Sequence, residues 1–159
     1  MFNYPENCKV VQAAAPQVGT AAAVNSTPIS LKNYHRAFIQ VDLNPVGGAA
    51  LLLTPQSDAL VAFGSAAVLT NAVRIWANEN TAASDRLVEQ TAAVNFTTAA
   101  NANLKQIIFE IDPADLAAGE DCIRLATGAL PVTDYIAITY VLQPRDASRV
   151  ATQPSAIID

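Results

Sequence analysis

The segment Tyr135-Ile136-Ala137-Ile138-Thr139-Tyr140-Val141-Leu142-Gln143 carries the clearest structural signal in this chain. Ile136, Ile138, Tyr140 and Leu142 fall on one side of an extended backbone, and Ala137, Thr139 and Val141 on the other. A period of two is that of a strand, and β-branched and aromatic residues suit a pleated surface. Both sides are apolar or small, which places this strand in the interior of a sheet.

The same period recurs toward the N-terminus. Ala37, Ile39, Val41 and Leu43 alternate with Phe38, Gln40 and Asp42 until Asn44-Pro45 stops the run. Val46-Gly47-Gly48 has turn chemistry, because glycine accepts positive φ, so residues 49–54 are expected to return as the second strand of a hairpin. Val73, Ile75 and Ala77 alternate with Arg74 and Trp76, and Ile107, Phe109 and Ile111 form a further inward row. Residues 86–89, 94–97 and 122–126 read as short strands, the first two flanking a connection at 90–93. Asp112 is placed to cap one helical turn through Leu116. Residues 56–69 fit either a short helix after Ser57-Asp58 or an irregular connection. About eight short strands separated by Gly, Pro, Asn and Asp turns predict an all-β fold, a jelly-roll-like β-sandwich.

That sandwich is expected over residues 28–144, between two extended ends. Residues 1–27 carry no charge after Lys9 and are broken by Pro5, Pro16 and Gly19. They bury too little to fold alone and are too apolar for a solvated linker. An N-terminal arm lying along a neighbouring subunit or along its own domain is the expectation. Residues 145–159, with Arg145, Arg149 and Pro154-Ser155-Ala156-Ile157-Ile158, read as an extended C-terminal tail.

Composition narrows the function classes. Of the 159 residues 52% are hydrophobic and 14% charged, against roughly 25% charged in ordinary domains. Much of the apolar content is Ala and Val. The core is then built from small residues, with some apolar surface left for other copies or a partner. A net charge of -5 and nine scattered basic residues argue against nucleic-acid binding, which needs clustered cations. The longest apolar stretch, 59–69, is shorter than the ~20 residues of a spanning helix, so no membrane contact is expected. Glu6, Gln12, Pro16 and Gln17 spoil a signal-peptide pattern near the start. Cys8 and Cys122 lack metal-ligand spacing and are expected as free thiols of a chain made in a reducing cytosol. A long-range disulfide between them is the alternative.

Motifs of catalysis are missing from the sequence. The single histidine, His35, sits between Lys32 and Arg36 and suits an exposed or interfacial residue at a strand entrance better than a general base. One histidine and two separated cysteines are a poor ligand supply for zinc. Gly64-Ser65 is no nucleophile elbow, because Ala67 stands where glycine is required. Phosphate-binding glycine loops do not occur. Glu110, Asp112, Asp115, Glu120 and Asp121 lack EF-hand spacing and read as turn and cap residues. Neither a catalytic site nor a cofactor is expected. Trp76 and Tyr140 could serve as sugar platforms, but a lone Trp on an apolar strand reads first as core or subunit interface.

Several short motifs resemble small accessory head proteins that decorate tailed-phage capsids. They are Ile29-Ser30-Leu31-Lys32-Asn33-Tyr34, Val73-Arg74-Ile75-Trp76-Ala77-Asn78-Glu79-Asn80, Phe109-Glu110-Ile111-Asp112, Asp121-Cys122-Ile123-Arg124-Leu125 and Tyr140-Val141-Leu142-Gln143-Pro144-Arg145. The resemblance spans residues 28–158, and the Ala-rich segment before Pro28 departs from it. It implies a capsid cement or decoration protein, a trimer on the outer surface of the virion, bound to the major capsid protein and made in the bacterial cytoplasm. Contacts are then expected from Val10, Val11, Val18 and Val24 on the arm, Tyr34 and His35 at the strand entrance, Trp76, and Ile157 on the tail. A carbohydrate- or host-binding module of the virion surface is the alternative expectation.

Overall fold

The computed structural model describes residues 7–146 and 155–157. Twelve strands are present among the described residues: β1 (Lys9–Val18), β2 (Ala22–Asn25), β3 (Ile29–Ser30), β4 (Tyr34–Asn44), β5 (Leu52–Asp58), β6 (Ala67–Val68), β7 (Val73–Asn78), β8 (Val88–Ala93), β9 (Phe96–Thr97), β10 (Lys105–Ile111), β11 (Cys122–Leu130) and β12 (Tyr135–Pro144). They form two antiparallel sheets. One has the order β1-β12-β4-β10-β7-β8, and the other has β2-β11-β5-β6, with β3 also on β11 and β9 on β5.

Set aside the short β3 and β9 and the hairpin β7–β8. The remaining eight strands then run 1-8-3-6 in one sheet and 2-7-4-5 in the other. That is the doubled Greek key of a jelly roll, as the pattern of short strands predicts. The hairpin β7–β8 widens the first sheet beyond β10.

The inward rows are those marked by the period of two. Ala37, Ile39, Val41 and Leu43 of β4 are buried, as are Ile107, Phe109 and Ile111 of β10 and Ile136, Ile138, Tyr140 and Leu142 of β12. They meet Leu53 of β5 and Ile123 and Leu125 of β11 from the facing sheet in one continuous core. A buried Leu, Ile or Phe side chain contributes about 1.5–3 kcal/mol. β12 lies between β1 and β4, an interior position that matches its two apolar faces.

Three local expectations are corrected, and one open reading is decided. Residues 37–43 and 49–54 do not form a hairpin, because β4 and β5 belong to opposite sheets and Val46-Gly47-Gly48 lies on the connection between them. β8 occupies 88–93, covering the stretch expected as a connection, and only β9 remains of the strand expected at 94–97. Of the two readings open for 56–69 the irregular connection holds at 59–66, between the end of β5 at Asp58 and β6, and no helix forms there. Residues 9–25 are integral strands of the sandwich, where an arm was expected. β1 pairs along its length with β12, and Val11 and Ala13 enter the core. Residues 1–6 lie outside the described residues.

Gly19 lets the chain pass from the first sheet to the second. A Cβ there would stand 2.0 Å from the Pro131 carbonyl oxygen, a clash no rotamer relieves. Asp112 does cap the single turn Pro113–Asp115. Its carboxylate accepts from Ala114 N–H at 3.0 Å, and Asp115 Oδ2 accepts from Asp112 N–H at 2.9 Å, a reciprocal capping box. Cys8 and Cys122 are both buried and are not joined by a disulfide. In the tail, the Ala156 carbonyl accepts from Ser30 N–H at 2.8 Å and its side chain is buried, so this point of the tail is held by the sandwich. Residues 147–154 and 158–159 lie outside the described residues.

Candidate interaction surface

The outward face of the β1–β8 sheet holds most of the side chains that could meet a partner. Cross-strand register aligns Val10, Val141, Phe38, Glu110 and Arg74 in one row, running from β1 to β7. Gln12, Thr139, Gln40, Ile108, Trp76 and Glu89 align in the next. Directly opposed residues on one face of an antiparallel pair touch. The first row is therefore apolar from the edge strand to β4 and charged beyond it.

The charged part is a closed network. Glu110 accepts from Arg36 Nη1 at 2.7 Å and from Arg74 Nη1 at 3.2 Å, and Arg74 Nε donates to Glu89 at 3.0 Å. The hydrogen bond that Arg74 donates to Glu89, and then the nearby Glu110 charge, hold the Arg74 guanidinium above its usual pKa. The same guanidinium sits 5.1 Å from the Trp76 ring centroid, a cation–π contact. Trp76 is half-buried between Arg74 and Ile108, a poor arrangement for an open sugar platform.

Two concavities mark the ends of this sheet. A groove of about 480 Å³ is bordered by Asp42, Asn44, Asp85, Leu104 and Tyr135. A second, about 580 Å³, is lined by His35, Arg36, Asp112, Gln143 and Arg145. No group of three or more His, Cys, Asp or Glu residues placed to hold a metal ion occurs among the described residues. No helix among them is long and apolar enough to cross a membrane.

The residues expected at an interface divide sharply. Val10, Val18 and Ile157 are 50%, 43% and 42% exposed, and His35 is exposed in the second concavity. Val24 is half-buried, its N–H bonded to Thr127 Oγ1 at 2.9 Å. Val11 and Tyr34 are core residues, 7% and 1% exposed, and leave the candidate surface. Alternation carried back from Ala37 would turn Tyr34 outward. The irregularity at Gln143/Pro144, opposite Arg36 and Tyr34, reverses this and sends Tyr34 in and His35 out. Burial raises the Tyr34 phenol's pKa. Leu104, Tyr135, Phe38 and Val141 were missed. Tyr135 is 53% and Leu104 44% exposed, and the apolar outward positions of the strongest strands were the available signal.

No family model matches the chain, and no curated protein matches its sequence. Among solved structures it is similar to the SPBc2 prophage-derived protein YomS, at 8% identity over 86% of this chain and 94% of that one, with a TM-score of 0.48.

Proposed function

We propose that this chain is a non-enzymatic virion structural protein, a cement or decoration protein that binds a phage capsid shell as a trimer and stabilises it. The observation that supports this most is the apolar half of the outward face. The exposed Val10 and the half-buried Val141 and Phe38 run in register from β1, an edge strand among the described residues, with Val18 and Tyr135 exposed at the far end of the same strand pair. Exposed apolar side chains beside an unpaired edge are a liability unless something covers them. A subunit or shell surface laid on them removes apolar area from water and needs no reaction. The resemblance of residues 28–158 to accessory head proteins supplies the identity of that partner, the major capsid protein. Many copies on a lattice give avidity from modest single contacts.

The test is cosedimentation of purified protein with capsid shells stripped of accessory proteins. Saturable binding at a fixed ratio to the shell subunit, with an upward shift in shell disruption temperature, is expected. Absence of cosedimentation at saturating protein overturns the reading.

A further inference from the structure

Lys105 opens β10 on its inward row with Ile107, Phe109 and Ile111, and its side chain has no exposed surface. A buried ammonium has to be paired. Nζ donates to Asn101 Oδ1 at 2.5 Å and lies 3.6 Å from Glu79 Oε2. Asn101 Oδ1 also accepts from the Asn103 backbone N–H at 3.1 Å. Glu79 Oε2 is held by the Ala99 N–H at 2.7 Å. The turn after β4 closes behind Asn101: Gly48, at φ +70°, comes so near that a Cβ there would lie 3.4 Å from the Asn101 carbonyl carbon and the Ala102 nitrogen.

An amine, a carboxamide, a backbone donor on the carboxamide oxygen and a carboxylate are thus gathered around one buried lysine side chain. These are the parts of an amide-forming centre. We propose that Lys105 and Asn101 become joined by an intramolecular isopeptide bond once the chain has folded. Glu79 takes a proton from the Lys105 ammonium. The neutral Nζ then attacks Asn101 Cγ, and charge develops on Oδ1, where the Asn103 N–H stabilises it. As the Cγ–Nδ2 bond breaks, Nζ gives up a second proton through Glu79. The two protons leave with the departing nitrogen as ammonium, Glu79 ends ionised, and Nζ is an amide. No oxidant, reductant or cofactor enters. Proximity supplies the rate, since the reacting groups are already in contact and cannot diffuse apart. The inference is independent of any role on a capsid.

Intact-mass spectrometry of the purified full chain tests it, together with a tryptic map. The wild-type chain is expected to be lighter than its sequence by one ammonia, with no cleavage after Lys105 and a fragment spectrum joining Lys105 to Asn101. Lys105→Arg keeps a buried cation but cannot form the bond, and Glu79→Gln removes the proton carrier. Both, shown folded by circular dichroism, are expected at full sequence mass. A folded wild-type chain at full mass, cleaved normally after Lys105, overturns the proposal. So does an ammonia loss that persists in Lys105→Arg, which would place the loss at another residue. If the variants do not fold, the wild-type mass and fragment spectrum decide alone.

Discussion

Ser26 shows how much one side chain can carry where two strands fail to meet. It lies in the gap between β2 and β3, both of which pair with β11. Its backbone N–H donates to the Leu125 carbonyl at 2.9 Å, and its Oγ accepts from Leu125 N–H at 2.7 Å. The hydroxyl thus replaces the missing rung of the ladder. It is also hydrogen-bonded to the hydroxyl of Tyr140, which is wholly buried and whose pKa burial raises well above the normal phenol range. Ser26→Ala strands two buried groups, the Leu125 N–H and the Tyr140 hydroxyl, at about 1–3 kcal/mol each. Tyr140→Phe strands only the serine hydroxyl, which keeps Leu125, and is expected to cost about 1 kcal/mol. Urea denaturation of both variants checks the order. Equal losses would mean that the rung is not carried by Ser26 Oγ. Tyr34 offers a contrast, because its buried hydroxyl finds no partner among the described residues. Tyr34→Phe should therefore cost less than Tyr140→Phe in the same titration.

Among the elements, the loop after β5 has a switchable anchor. Asp58 accepts from Ser65 N–H at 2.7 Å and from Leu60 N–H at 3.1 Å, closing residues 59–66 over the second sheet. Phe63, in the left-handed region at φ 52°, packs within the loop under the Arg124 guanidinium, 4.6 Å from its ring centroid. The Ser65 bond chiefly, then those from Leu60 and Ala59 and the Arg124 charge, hold the Asp58 carboxyl below its ordinary pKa against the opposing effect of burial. A depressed folded pKa means that the carboxylate's contribution is fully present above its unfolded pKa of about 3.9 and is lost as pH falls through the lower folded value. Protection of the Leu60 and Ser65 amides, corrected for intrinsic exchange, should fall across that acid window, and Asp58→Asn should flatten the dependence. Protection that stays constant below pH ~3 would remove Asp58 as the anchor.

At this scale the limits of sequence reading are also visible. Alternation located β4, β7, β10 and β12, because each buries one row against the facing sheet. It could not say which sheet a strand joins, so Val46-Gly47-Gly48 passed for a hairpin turn while carrying the chain across the sandwich. β8 was located only in part, as the strand expected at 86–89, because it is an edge strand of Val88-Glu89-Gln90-Thr91-Ala92-Ala93, mostly exposed and with no apolar row to mark it. In β1 the signal existed in Val11 and Ala13. Register shifts between Gln12 and Ala14 and between Ala14 and Gln17 then broke the period that would have identified the strand.

For the whole molecule, the question is what its edges meet. Among the described residues β1 has a neighbour on one side only, and the strand is nearly uncharged, with Lys9 alone bearing a charge. Natural sheets protect such edges with lysine, proline or bulges. Here Pro16 and the two register shifts protect the second half, and the Ala13 carbonyl is taken by Thr27 N–H at 2.7 Å. The first half, where Val10 leads the apolar row, has none of these beyond Lys9. A trimer or a shell contact that covers the row should therefore be sensitive at Val10, while the isolated fold should not. Val10→Lys places a charge at a half-exposed position, where the cost to folding is within about 0.5 kcal/mol. The same charge left inside an interface without a partner costs several kcal/mol. Light scattering at matched concentration is expected to give a trimer for the wild-type chain and a smaller species for Val10→Lys, with unfolding midpoints nearly equal at dilutions where both are monomeric. A wild-type trimer that survives the substitution intact would move the interface off the β1 end of the sheet. A monomer in both cases would leave the shell itself as the only surface on which copies could associate, and cosedimentation of Val10→Lys with stripped shells would then show whether that surface meets β1.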